Sequence, residues 1–162
     1  MLQIIWGVLG LTIVGAAIRA GRSARARRTG RIAVGALYIG AGAVVNAAFL
    51  ARGDDYAKFA DASYIPFVRD TWRSLVVPQH ELFISLLILF EAAVGALVLS
   101  GGRRTQVGLV GALGFHVALL TFGWGFYLWS IPMLGALIML LRAELPSDAP
   151  VVTVPERPRV TA

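Results

Sequence analysis

"VGLVGALGFHVALLTFGWGFYLWSIPMLGALIMLL", Val107 to Leu141, is 35 residues long and holds no Asp, Glu, Lys or Arg. A helix crosses the hydrocarbon core of a bilayer in about 20 residues, so this run is too long for one crossing. Its middle, "TFGWGFYLWS", carries two glycines among clustered aromatics, and Trp and Tyr favour the membrane interface. A turn near Gly123–Gly125 therefore divides the run into two short spans, about 106–122 and 126–142. Pro132 in the second half predicts either a kinked crossing or a shorter, re-entrant helix.

Three more apolar blocks lie upstream, at 2–18, 32–51 and 82–100, each the length of one crossing. The expected architecture is an all-α polytopic membrane bundle of five spans. Composition agrees: 57% of the 162 residues are hydrophobic and the mean hydropathy is +0.74, more apolar side chain than a small soluble domain can hide. There is no cysteine, which excludes thiolate nucleophiles, disulfide relays and Cys-ligated clusters. The N-terminal "GAA" resembles a signal-peptidase site. The first charge, however, is Arg19, after the apolar run, so residues 1–20 read as an uncleaved transmembrane helix rather than a leader.

The net charge of +6 comes almost wholly from arginine. It lies in loops between apolar blocks, which points to membrane orientation and not to nucleic acid. Arg19, Arg22, Arg25, Arg27, Arg28 and Arg31 precede the second span, Arg103 and Arg104 follow the third, and Arg142, Arg157 and Arg159 follow the fifth. Five spans place all of these on one side and leave Arg52, Lys58, Arg69 and Arg73 on the other. The positive-inside rule then predicts a plasma-membrane protein with its N-terminus outside and its tail in the cytoplasm. The arginine loop reads as a topology determinant or, more sharply, as a binder of anionic membrane lipid.

The segment 52–79 is the one long external loop. Pro66 is expected to open a short helix and Pro78 to stop it, with Val68, Trp72, Leu75 and Val76 on its apolar face and Arg69, Asp70 and Arg73 opposite. Such an amphipathic helix lies on the outer face as a packed lid or as a ligand gate. The proline-rich tail, 146–162, has no apolar period and is expected to be disordered.

Glu91 lies near the middle of the third span. A charged group at a helix centre in the bilayer costs about 2.5–3.5 kcal/mol on insertion scales, so Glu91 is expected to face a partner. His116, at similar depth in the next span, continues a Gly108–Ala112 stripe of the kind that marks helix contacts in membranes. Glu91 and His116 are therefore expected to meet, either as a proton-accepting pair beside a small-molecule pocket or as a lock between two helices. Asn46 and Tyr38 on the second span are further site candidates. His80, Glu81 and Trp72 are candidates for an external mouth. Two histidines at different depths argue against paired haem ligation. No metal constellation, phosphate loop or dinucleotide fingerprint is present.

"RIAVGALYIGAGAVVNA", 31–47, and "FEAAVGALVLSGGRRTQVGLVGA", 90–112, resemble helices of the DoxX-like family of membrane proteins. In the second stretch an acid is followed by a glycine one turn on, then leucines, a glycine stop and a basic turn. Here these are Glu91, Gly95, Leu97, Leu99, Gly101–Gly102 and Arg103–Arg104. The resemblance covers 31–142 and implies a four-helix core with residues 1–20 as an extra helix before it. It also implies an accessory membrane protein without independent catalysis, in contact with a respiratory or redox complex and with a quinone as the candidate cofactor. The lack of cysteine removes a thiol role. A lipophilic-ligand binder or transporter and a purely structural assembly subunit are the alternatives, and homo-oligomers are compatible with all three.

Overall fold

The computed structural model describes residues 2–145. Five helices among them are long and apolar enough to cross a membrane: α1 Leu2–Ala20, α2 Ala24–Ala51, α3 Pro66–Ser100, α4 Gly102–Phe122 and α5 Trp124–Glu144. The chain is a multi-pass membrane protein. Its outward faces are apolar, with Leu11 76%, Leu89 65% and Leu128 73% exposed, as a surface against lipid tails requires. The tail expected to be disordered lies outside the described residues.

The helices close into a ring. α1 packs on α2 and α5, α2 on α3, α3 on α4, and α4 on α5. α1 is thus a wall of the bundle. The contacts run through small residues, because close van der Waals approach is what holds helices together where lipid competes equally for apolar surface. A Cβ on Gly108 of α4 would lie 2.7 Å from the Val98 backbone nitrogen of α3. A Cβ on Gly95 of α3 would lie 2.5 Å from Ile39 of α2, and one on Gly10 of α1 2.8 Å from the Trp129 ring of α5. Between these seams Ile13, Val34, Val98, Leu109 and Leu137 are sealed from solvent.

Several boundaries differ from the sequence reading. The arginine segment is mostly helix: Ser23 caps α2 by accepting from the Ala26 amide (3.2 Å), so Arg25, Arg27, Arg28 and Arg31 ride its first two turns. A serine just ahead of the run is a common start signal, and it outweighs the run's polarity. Pro78 does not stop a helix. The chain passes from α-helix (Pro66–Thr71) through a π-helical stretch (Trp72–Val76) and a 3₁₀ turn (Val77–Gln79) into the transmembrane part of α3, with a local departure at Gln79 (φ −122°, ψ 32°). Proline is tolerated there because a first-turn residue has no intrahelical acceptor to lose. Leu75, assigned to the apolar face, is exposed, whereas Val76 is buried. α5 spans 21 residues with Pro132 inside it, so the last crossing is full and not re-entrant. The turn before it uses Gly123 alone (φ 119°), and Gly125 is already helical.

The two ends of the ring are built differently. At the arginine end, Thr105 Oγ1 accepts from the Gly101 amide and donates to the Val98 carbonyl, both at 2.9 Å, fastening the α3–α4 turn. At the other end, residues 52–65 fold over the bundle. Ser63 Oγ donates to the Thr121 carbonyl (2.5 Å), and Phe59 packs on Trp72, Phe122 and Phe126 with centroids 4.9–5.4 Å apart.

Candidate functional site

Beneath that aromatic cap the ring holds a partly open cavity of about 130 Å³, lined by residues from all five helices. For scale, a cavity of ~150 Å³ lined by aliphatic and aromatic side chains holds one benzene ring. The lining is mainly apolar and aromatic, including Trp6, Trp72 and Trp129. The polar residues of the lining are Tyr38, Asn46, Tyr56, Glu91 and His116.

Glu91 is buried, and its Oε2 accepts from Asn46 Nδ2 at 2.8 Å. The carboxylate lies against Gly42 of α2: a Cβ there would come 2.7 Å from Oε1. Asn46 is held in turn by the Tyr56 hydroxyl, which donates to the Asn46 carbonyl and to Oδ1, both at 3.2 Å. Partial burial and the nearby Asp54 and Glu91 carboxylates push the Tyr56 phenol above its ordinary value, so it stays a donor at neutral pH. Tyr56, Asn46 and Glu91 form a hydrogen-bonded line from the cap into the membrane-spanning core.

Tyr56 is held in an uncommon backbone state, φ 55°, the one non-glycine residue with positive φ among the described residues. Such a conformation costs about 1–3 kcal/mol and persists where the surroundings fix it. Here the Asp54 carboxylate accepts from the Tyr56 amide (2.8 Å), and Trp72 Nε1 donates to the Tyr56 carbonyl (2.9 Å). Trp72 thus both lines the cavity and fixes Tyr56.

His116 is fully buried among the rings of Tyr38, Phe115 and Trp129, with centroid distances of 6.0–6.5 Å. Its Nδ1 is 3.5 Å from Ser130 Oγ on α5, the outer limit of a hydrogen bond. Its Nε2 has no partner among the described residues, the one buried side-chain nitrogen or oxygen so placed. A buried polar atom left without a partner costs about 1–3 kcal/mol.

The expected direct pair of Glu91 with His116 is not formed. α3 turns Glu91 into the notch left by Gly42 on α2, and α3 meets α4 through Val94 and Val98 on Gly111 and Gly108 instead. Both residues nevertheless line one cavity, together with Asn46 and Tyr38. The Tyr38 hydroxyl is used across the bundle, donating to the Ala112 carbonyl (3.2 Å). Tyr38 sits in the π-helical stretch Leu37–Val44, a local widening often found at functional sites. His80 and Glu81 do not line the cavity. His80 Nδ1 donates to the Val77 carbonyl (3.0 Å), and Glu81 is solvent-exposed in the first turn of the transmembrane part of α3.

Sequence reasoning missed Tyr56 and Ser130. "DDY" at 54–56 carries a signal for the first, since an Asp two residues ahead of an amide favours a tight turn. Nothing in the apolar context of Ser130 marks the second. Among the described residues no cluster of three His, Asp or Glu side chains could hold a metal ion. No known protein family, curated protein or solved structure matches the chain.

Proposed function

We propose that this protein binds one small lipophilic ring compound, carrying a carbonyl or hydroxyl group, inside the helix ring. The observation that carries the proposal is a ring-sized, mainly aromatic cavity whose lining includes His116, a buried histidine with an unpartnered Nε2. Ligand pockets have this composition: apolar walls with a few placed polar groups that fix orientation. When Ser130 donates to Nδ1, Nε2 bears the hydrogen and serves a carbonyl or a hydroxyl. When Ser130 accepts, Nε2 serves a hydroxyl. Glu91 is already engaged by Asn46 through one oxygen and keeps acceptor capacity on the other.

A quinone headgroup belongs to this class, and the DoxX-like resemblance of 31–142 points the same way. Its redox chemistry would be the quinone's own. His116 would hold one ring oxygen, and the aromatic walls would exclude water. On this reading the chain is an accessory, non-catalytic protein of a quinone-linked complex in a bacterial plasma membrane. The arginine end faces the cytoplasm and the aromatic cap faces out. A carrier of other lipophilic rings is the alternative that the same cavity supports. A purely structural subunit has less support, because it would have no use for the cavity or for the unpartnered nitrogen.

Three tryptophans line the cavity, so bound quinone should quench their fluorescence. The test is titration of the protein in nanodiscs with a short-chain benzoquinone. Saturable quenching is expected in the wild type and should be lost in Ala41→Leu, which fills the cavity. Quenching that never saturates, or that is equal in both proteins, would refute binding in the cavity.

A further inference from the structure

The arginine end holds an open groove of about 1040 Å³ between the start of α2, the α3–α4 turn and the end of α5. We infer that this groove binds the phosphate headgroup of an anionic phospholipid, a site independent of the central cavity. Four guanidiniums line it, from Arg27, Arg28, Arg31 and Arg103, against one carboxylate, Glu144.

Two of the four are fixed in place. Arg27 donates to the Ala143 carbonyl (3.0 Å), and Arg31 donates to the carbonyls of Val98 and Leu99 (3.2 Å each). These bonds satisfy the C-terminal carbonyls of α5 and α3 and answer the negative poles of those helices. Arg31 Nη1 also faces Glu144 Oε1 at 3.9 Å, so the groove's one carboxylate is already paired. A guanidinium has five N–H donors, so both arginines keep donors for a further acceptor.

The N-termini of α2 and α4 lie at the same end, and their poles are positive. Neither has an acidic residue in its first turn, α4 has no side-chain cap, and the first turns carry Arg25, Arg27, Arg103 and Arg104 instead. Cations at a helix N-terminus are unfavourable, and an anion there is favourable. The two positive poles offset the negative poles of α3 and α5, and four guanidiniums facing one carboxylate leave an excess of positive charge that a phosphate balances.

The groove also has an apolar side, where Ile32 and Leu99 are 52% and 43% exposed. Charge beside exposed aliphatic surface suits a molecule with a phosphate and acyl chains better than a free ion.

The experiment is native mass spectrometry of the full chain from detergent micelles, titrated with phosphatidylglycerol or phosphatidylcholine of matched chains. Phosphatidylglycerol should bind at least several-fold more tightly. Arg28→Gln with Arg103→Gln should weaken it about thirtyfold, from about 1 kcal/mol per lost basic residue. Arg19→Gln with Arg22→Gln removes the same charge from residues outside the groove and should leave binding within about twofold. Equal binding of the two lipids, or equal loss in both double variants, overturns the site. Displacement of the lipid by millimolar inorganic phosphate overturns the choice of a lipid over a free anion.

Discussion

Glu91 on α3 and His116 on α4 line one cavity, and their polar atoms are treated differently. Glu91 belongs to a connected line through Asn46 and Tyr56 to the cap, and the carboxylate is seated against a glycine. His116 has one long contact to Ser130 and one nitrogen without a partner. The first arrangement holds helices and loop together. The second leaves interaction capacity unused in a residue that lines the cavity. Substitutions near Glu91 should therefore be read mainly in stability, and substitutions near His116 mainly in binding.

The largest effect is expected from Gly42→Val. Its Cβ would meet the Glu91 carboxylate at 2.7–2.8 Å, and the branched methyls would push that group out of the α2–α3 seam. Overpacking costs about 1–3 kcal/mol, and an unpartnered Glu91 adds about 1–3 kcal/mol more. Thermal unfolding in detergent should show a large fall in midpoint. An unchanged midpoint would mean that the carboxylate is not fixed in that notch.

Asn46→Leu comes next. It removes the donor to Glu91 and the side-chain acceptor for Tyr56 together, at a cost of about 1–3 kcal/mol. Glu91→Gln should cost under about 1 kcal/mol, because the amide oxygen still accepts from Asn46. The contrast between the two variants is the sharper test: equal losses would show that charge, not the hydrogen bond, organises this part of the cavity.

The spans and the burial of Glu91 and His116 were legible in the sequence because a bilayer demands long apolar runs and makes polar groups within them face the protein interior. Their partners were not. Depth along a helix can be counted from sequence, but the direction a side chain faces depends on which neighbour supplies a gap. Gly42 supplied it for Glu91. Gly108 and Gly111 let α4 approach Val98 and Val94, keeping the α3–α4 seam apolar. The ring itself was hidden for a related reason. α1 looked like an added helix until Gly10 was seen to accept the Trp129 ring, a long-range fit with no local signature.

His116→Leu reverses the pattern expected for Glu91. It replaces a poorly bonded imidazole with an aliphatic side chain in a mainly apolar box, so stability should change by less than about 1 kcal/mol, in either direction. Saturable quenching by the benzoquinone should weaken at least tenfold, the scale of one buried hydrogen bond to a ligand. A variant that unfolds but binds normally once folded would place His116 among the structural residues.

Ser130→Ala should give the smallest effect and the most specific one. A 3.5 Å contact contributes little to folding, so the unfolding midpoint should shift by less than the equivalent of about 0.5 kcal/mol. The hydroxyl nevertheless biases which ring nitrogen carries the hydrogen, and that decides what Nε2 offers a ligand. Nitrogen-15 NMR of the His116 ring should show one dominant neutral tautomer in the wild type and a mixture in Ser130→Ala, with a severalfold loss of quinone affinity. The same tautomer ratio in both proteins would leave Ser130 without a hold on His116. The open nitrogen would then be set by the aromatic box alone, and binding would have to select its tautomer from the ligand side.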